Sequence, residues 1–116
     1  IVSPDTVDEY NDKVLRATQG AIFKLPIFRE NLEKAISNLK EQKIPVLVTS
    51  LKGAVDVATL PRMDKFAVVL GNEAHGVKEK IVDLADKVVK ITMYNNVESL
   101  NVGITAGMIT YYLLNK

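Results

Sequence analysis

FAVVLGNEAHGV, residues 66–77, sets an apolar run, Phe66-Ala67-Val68-Val69-Leu70, against a turn bracketed by Gly71 and Gly76. A run with no polar interruption is the pattern of a parallel strand covered on both faces. Working outward, the β-branched stretch 46–49 (VLVT) reads as a second buried strand, 88–93 as a third and 54–60 as an edge strand. Residues 77–85 form a helix with Val77, Ile81 and Leu84 on its apolar face. Residues 29–42 form the clearest amphipathic helix, since Leu32, Ala35, Ile36 and Leu39 follow a period of 3.6. Further upstream, 12–23 reads as a helix with Gly20 as its weak point, 25–28 as a short strand, and 1–4 as the tail of a strand turned by Pro4. Strands separated by helices imply βαβ units. The fold class is α/β: one domain over residues 1–116, a mostly parallel sheet with helices on both faces.

The composition narrows the chemistry. The 116 residues carry 15 Lys+Arg against 14 Asp+Glu, a net charge of +1, so a basic grip over the whole surface is excluded and any nucleic-acid contact is local. With no cysteine there is no disulfide, thiolate metal site or cysteine nucleophile, and with His75 as the one histidine a zinc site or Ser-His-Asp triad lacks its parts, so no metal is expected. Residues 1–10 lack the basic and apolar regions of a signal peptide, which makes the cytoplasm the expected compartment. An opening Ile in place of Met predicts a processed product or a piece of a longer protein.

In open α/β sheets, ligands bind beyond the carboxyl ends of the strands. Three loops follow strands here, 49–53, 71–76 and 94–99, and they are expected to share one rim. The glycines of the second let backbone approach a ligand and Glu73 adds a carboxylate, but the spacing matches neither a dinucleotide nor a P-loop fingerprint. On its own, GNEAHG also suits a plain strand-to-helix connection, with His75 a solvent-exposed loop residue. In the third loop Asn95 and Glu98 have capping-box spacing, which starts a helix over 98–115 and puts Asn101 one turn into it. A polar side chain held in that apolar helix needs a partner if buried, as a network element or a ligand contact. The helix has no charge between Ser99 and Asn115, and polar or small residues interrupt it too often for a membrane span. A symmetric dimer interface accounts for its apolar surface.

Taken together, FAVVLGNEAHGV and VVKITMYNNVESLNVGITAGMITYYL (residues 88–113) resemble motifs 2 and 3 of the SpoU (TrmH-like) RNA methyltransferases of the SPOUT class. The pattern is a strand, G-x-E-x-x-G, a strand ending in I-P-M, and S-L-N-V-S opening the last helix. Residues 3–28 look like the segment between motifs 1 and 2. The resemblance implies a C-terminal trefoil knot, S-adenosylmethionine bound in it, a homodimer, and methyl transfer to a ribose 2′-oxygen of tRNA or rRNA. By motif position it implies catalytic roles for Glu73, Ser99 and Asn101, and cofactor contacts from Leu70, Gly71, Ile91, Met93 and Leu100. Thr92 stands where the pattern has proline, Asn95 where glycine is common and Gly103 where serine is common. Motif 1, with its asparagine, arginine and strand, would precede Ile1, so a chain extended upstream is expected to be active and this one not. The alternatives are a non-catalytic RNA- or cofactor-binding module of the same fold and a small α/β nucleotide-binding protein. Lys13, Arg16, Lys24, Arg29, Arg62 and Lys65 are candidates for an RNA-facing patch, with scattered surface charge as the competing reading.

Overall fold

Three consecutive branched apolar residues, Val46, Leu47 and Val48, are completely buried in strand β1 (Val46–Thr49), one of the two inner strands of the sheet. The computed structural model describes residues 1–50, 52, 54–71, 75–94 and 100–116. Beside β1 lie β3 (Ala67–Val69) and β4 (Lys87–Lys90), and β4 also pairs with β2 (Val55–Asp56). The order is β2-β4-β1-β3 and every pairing is parallel, as expected for strands joined by crossovers. Asp86 fixes the start of β1: its carboxylate accepts the Val46 N–H at 2.8 Å, and its own N–H donates to the Val46 carbonyl at 2.8 Å.

The chain divides into two compact units, residues 1–35 and 36–116. In the first, α1 (Asp12–Thr18) starts where the Asn11 side chain accepts the Lys13 N–H. It ends where Gln19 and Gly20 both adopt positive φ, and a 3-10 turn, Ala21–Phe23, follows. The helix expected over 12–23 is therefore cut at the glycine that permits a left-handed turn. Residues 25–28 form no strand; the extended pairing here is a single parallel bridge between Val2 and Arg29.

Arg29 organises this unit. Its guanidinium donates to the carbonyls of Ser3, Pro4, Thr6 and Val7 and pairs with Glu9 at 2.5 Å. Glu9 sits below the ordinary carboxylate range, held first by its own backbone N–H and then by Arg29. Arg29 was a candidate for an RNA-facing patch, but its donors are directed at its own chain. Arg62 is likewise paired, with Asp64 at 3.1 Å.

Helix α2 (Leu32–Glu41) begins where Asn31 accepts the Lys34 N–H, later than residue 29 because the cap and not the periodicity sets the start. In the second unit α3 spans Glu79–Leu84 and α4 Val102–Leu114. The expected edge strand 54–60 shrinks to two residues. Asp56 turns its side chain onto the Ala58 N–H at 2.7 Å and starts a 3-10 turn, Val57–Thr59. Leu47, Val57, Leu60, Val89, Ile109 and Leu113 form the core, with Met63, Phe66, Val68 and Ile91 packed against it. Each fully buried aliphatic side chain contributes about 1.5–3 kcal/mol.

One further expectation changes in this unit. FAVVL is half-buried, because β3 lies at the end of the strand order with β1 as its neighbour. Helix α4 buries Ile109 and Leu113 on one side and leaves Ile104 55% and Tyr111 70% exposed on the other. The threading expected of the last helix involves residues 72–74 and 95–99, which lie outside the described residues.

Candidate functional site

The carboxyl ends of β1, β3 and β4 and the start of α4 enclose a cavity of about 850 Å³, inside the range of about 300–1,000 Å³ typical of small-molecule sites. Three segments far apart in sequence meet there: the expected loops 49–53 and 71–76 share this rim, while residues 95–99 of the third loop lie outside the described residues and the ends of its flanking elements line the cavity instead. Thr49, Ser50 and Lys52 come from the first, Leu70, Gly71, His75 and Gly76 from the second, and Ile91, Met93, Leu100 and Asn101 from the third. Glu73 and Ser99 lie outside the described residues.

At Gly71 the wall after β3 is bare backbone. A Cβ built on Gly71 would lie 2.5 Å from the Val77 nitrogen and 2.6 Å from the Gly76 oxygen, so only glycine fits. Gly76 has φ +66 and open space where a side chain would go, so the two glycines of the turn are there for different reasons. Gly71 is demanded by contact and Gly76 by conformation.

Asn101 is placed differently from the sequence reading. It is the exposed N-cap of α4 and not a residue one turn inside the helix. Its Oδ1 accepts the N–H groups of Gly103 at 2.8 Å and Ile104 at 3.4 Å, and its carbonyl accepts the Thr105 N–H. Backbone N–H groups are donors, so the atom facing them must be the oxygen. The Nδ2 donors are the part of the amide that the cap does not use. Asn95 and Glu98, whose spacing suggested an earlier cap, lie outside the described residues.

Periodicity and strand-end reasoning missed the α3 side of the cavity. Glu79 and Asp83, four apart and hence on one helical face, line it together with Val82, as does Thr105 one turn into α4. The i, i+4 pair of acids along the helix was the available signal. Below the β4 end, the Thr92 hydroxyl donates to Asp56, whose other oxygen caps Ala58. The Thr92 hydroxyl is the main cause that holds Asp56 below the ordinary carboxylate range, followed by the Ala58 N–H. What these bonds add to stability is present at neutral pH and is lost as pH falls through the lowered value. Among the described residues there is no group of three or more acidic or histidine side chains able to hold a metal. No helix among them is long and apolar enough to cross a membrane.

The arrangement suits a flat apolar group against Leu70, Ile91, Met93 and Leu100, with polar extensions toward Thr49, Ser50, Asn101 and Thr105. A family model described as the SpoU rRNA Methylase family matches residues 1–111. The 23S rRNA (guanosine(2553)-2′-O)-methyltransferase RlmP of Bacillus subtilis is 32% identical over 113 residues, covering 97% of this chain and 46% of that protein. The AdoMet-bound rRNA methyltransferase of Sinorhizobium meliloti superposes with a TM-score of 0.83 at 30% identity, covering 96% of this chain and 43% of that one. The SpoU methyltransferase AviRb of Streptomyces viridochromogenes, in complex with AdoMet, gives 0.86 at 25% identity, with coverages of 97% and 47%. The chain thus spans about half the length of the relatives it matches.

Proposed function

The chain belongs to the SpoU rRNA Methylase family, and from that premise we propose that its cavity holds S-adenosylmethionine next to the ribose 2′-hydroxyl of a tRNA or rRNA nucleotide, for methyl transfer to that oxygen. The observation that carries the reading is the convergence on one cavity of Leu70, Gly71, Ile91, Met93, Leu100 and Asn101.

The residues suit such a molecule. Leu70, Ile91, Met93 and Leu100 offer apolar surface to a purine, and the bare Gly71 wall admits close main-chain approach. Glu79 and Asp83 supply carboxylates for an ammonium or sugar hydroxyls, and Thr49 and Ser50 add hydroxyls. When bound, S-adenosylmethionine supplies a methyl carbon already activated by its sulfonium. The protein then has two tasks: to hold the 2′-oxygen in line and to accept the proton it releases. Asn101 donates from Nδ2 to the oxygen, Ser99 orients it, and Glu73 takes the proton or positions the group that does. The start of α4, with Asn101, Val102 and Thr105 on the cavity, favours the negative charge that grows on the oxygen. Turnover on RNA is assigned to the complete protein, with the upstream asparagine and arginine in place.

Calorimetry tests the reading. S-adenosylmethionine is expected to give a saturable isotherm and ATP none. Heat with ATP and none with S-adenosylmethionine would replace this assignment by a nucleotide-binding one.

The partner surface we propose is the outer face of α4. Ile104, Gly107, Tyr111 and Leu114 are exposed at spacings of three, four and three, the seam geometry of one helix against another. A second copy of the chain fits this apolar stripe by symmetry. Sedimentation should show a dimer, and Tyr111→Glu, which puts a charge into a helix that has none, should give a monomer. A variant that stays dimeric would move the interface elsewhere.

A further inference from the structure

Thr92 is the one position of the 91–93 segment that turns away from the cavity. Ile91 and Met93 line it, and the residue between them donates its hydroxyl to Asp56. The strand expected over 88–93 ends at Lys90, so this alternation lies just beyond the end of β4. The Thr92 N–H also acts on the Asp56 carboxylate, in the same direction as the hydroxyl. A proline, the residue of the related pattern, would bring neither donor.

Asp56 is a fixed anchor. It pairs with Lys90 in the β2-β4 register, caps Ala58, and precedes Val57 and Leu60, both in the core. The far end of the same 3-10 turn is held by Lys116, whose Nζ donates to the carbonyls of Val57 at 3.2 Å, Ala58 at 2.7 Å and Leu60 at 2.5 Å. The Leu113 carbonyl accepts the Met63 N–H at 2.9 Å, tying α4 to the segment that follows the turn.

We propose that the Thr92–Asp56 pair is a brace that fixes the wall formed by Ile91 and Met93, so that Thr92 is a positioning residue for S-adenosylmethionine; this rests on the cofactor reading above. With the brace in place, the two apolar side chains are presented to the ligand in one arrangement. Without it, binding has to order that wall first, and affinity falls.

Four variants read this out by calorimetry with S-adenosylmethionine: Thr92→Val, Thr92→Ser, Asp56→Ser and the Thr92→Val/Asp56→Ser double. Thr92→Val removes a hydrogen bond to a charged group and is expected to weaken binding about tenfold. Thr92→Ser keeps the hydroxyl and should bind as the parent does. Asp56→Ser keeps a capping oxygen for Ala58 but cannot also reach Thr92, so it should lose as much as Thr92→Val. The double variant should be no worse than either single one. Amide exchange at 91–93 should quicken in Thr92→Val and not in Thr92→Ser, and the Asp56 carboxyl should titrate higher in Thr92→Val alone of that pair. If Thr92→Val fails to fold, Asp56→Ser compared with Thr92→Ser tests the same link. A parent chain that takes up no S-adenosylmethionine would overturn the cofactor reading and this one together. Binding by the parent, with Thr92→Val and Asp56→Ser equally tight, or with additive losses in the double variant, would overturn the brace alone.

Discussion

Gly71→Ala is expected to lose S-adenosylmethionine binding by more than tenfold and to lower the melting temperature by about 5 °C or more, the shift produced by a loss of a kilocalorie or more in a chain of this size. The cause is contact. The new methyl would press on the Val77 nitrogen at 2.5 Å and the Gly76 oxygen at 2.6 Å, where ordinary carbon contacts begin near 3.4 Å. Both obstacles are backbone, so neither moves aside by rotating a side chain. The neck between 71 and 76 must open on the order of 1 Å, and overpacking of this kind costs typically about 1–3 kcal/mol. That neck is a wall of the cavity, so the same displacement reaches the ligand. Gly76→Ala is the internal control. It meets nothing within 4 Å and pays only for φ +66, a penalty of about 1 kcal/mol. Equal losses from the two variants, by thermal melting and calorimetry, would show that turn conformation and not close approach governs the site.

The glycine pair also marks what could be read from residues alone. That a strand ends at Leu70 and a glycine turn follows is legible in FAVVLG, because an unbroken apolar run must stop where backbone has to bend. Which glycine is held by contact is not, since it depends on where 76 and 77 return in space. The same divide runs through the rest. Val46 to Val48 were readable as a buried strand from an unbroken, largely β-branched apolar run, whereas the half-burial of FAVVL depends on the strand order, a long-range fact. Asp56 cut the edge strand short because a short acid caps the turn at the point where the apolar pattern continues through Val57 and Leu60. Residues 12–23 lost their last turn at Gly20 for a local reason visible in the sequence. Leu70, Gly71, Ile91 and Met93 line one cavity because they sit at strand ends, and parallel topology brings strand ends to one rim. Glu79 and Asp83 escaped because an i, i+4 acid pair on a short helix normally faces water.

Asn101 was misplaced for a comparable reason, and its correction sharpens what a substitution there can show. The Asn95/Glu98 spacing draws the helix start to 98, four residues before Val102 where α4 begins, and makes Asn101 an interior residue. As the N-cap, it has two separable parts in one amide. Oδ1 holds the helix start through Gly103 and Ile104, and Nδ2, which the cap does not use, is the part that the proposed function assigns to the ligand. Alanine removes both and should cost about 1 kcal/mol of stability through the cap. Aspartate separates them, because it caps as well as asparagine and its charge suits a helix N-terminus, worth about 0.3–1 kcal/mol. Asn101→Asp should therefore melt no lower than the parent and bind S-adenosylmethionine comparably. Methyl transfer by the full-length protein, measured as label incorporated into RNA, should nonetheless fall by about 10²–10³-fold, the loss seen when one preorganised donor is removed from a reacting oxygen. If Asn101→Asp transfers at the parent rate while Asn101→Ala is both less stable and slower, the residue serves the helix alone, and the donor to the 2′-oxygen has to be sought among the neighbouring hydroxyls of Thr49, Ser50 and Thr105.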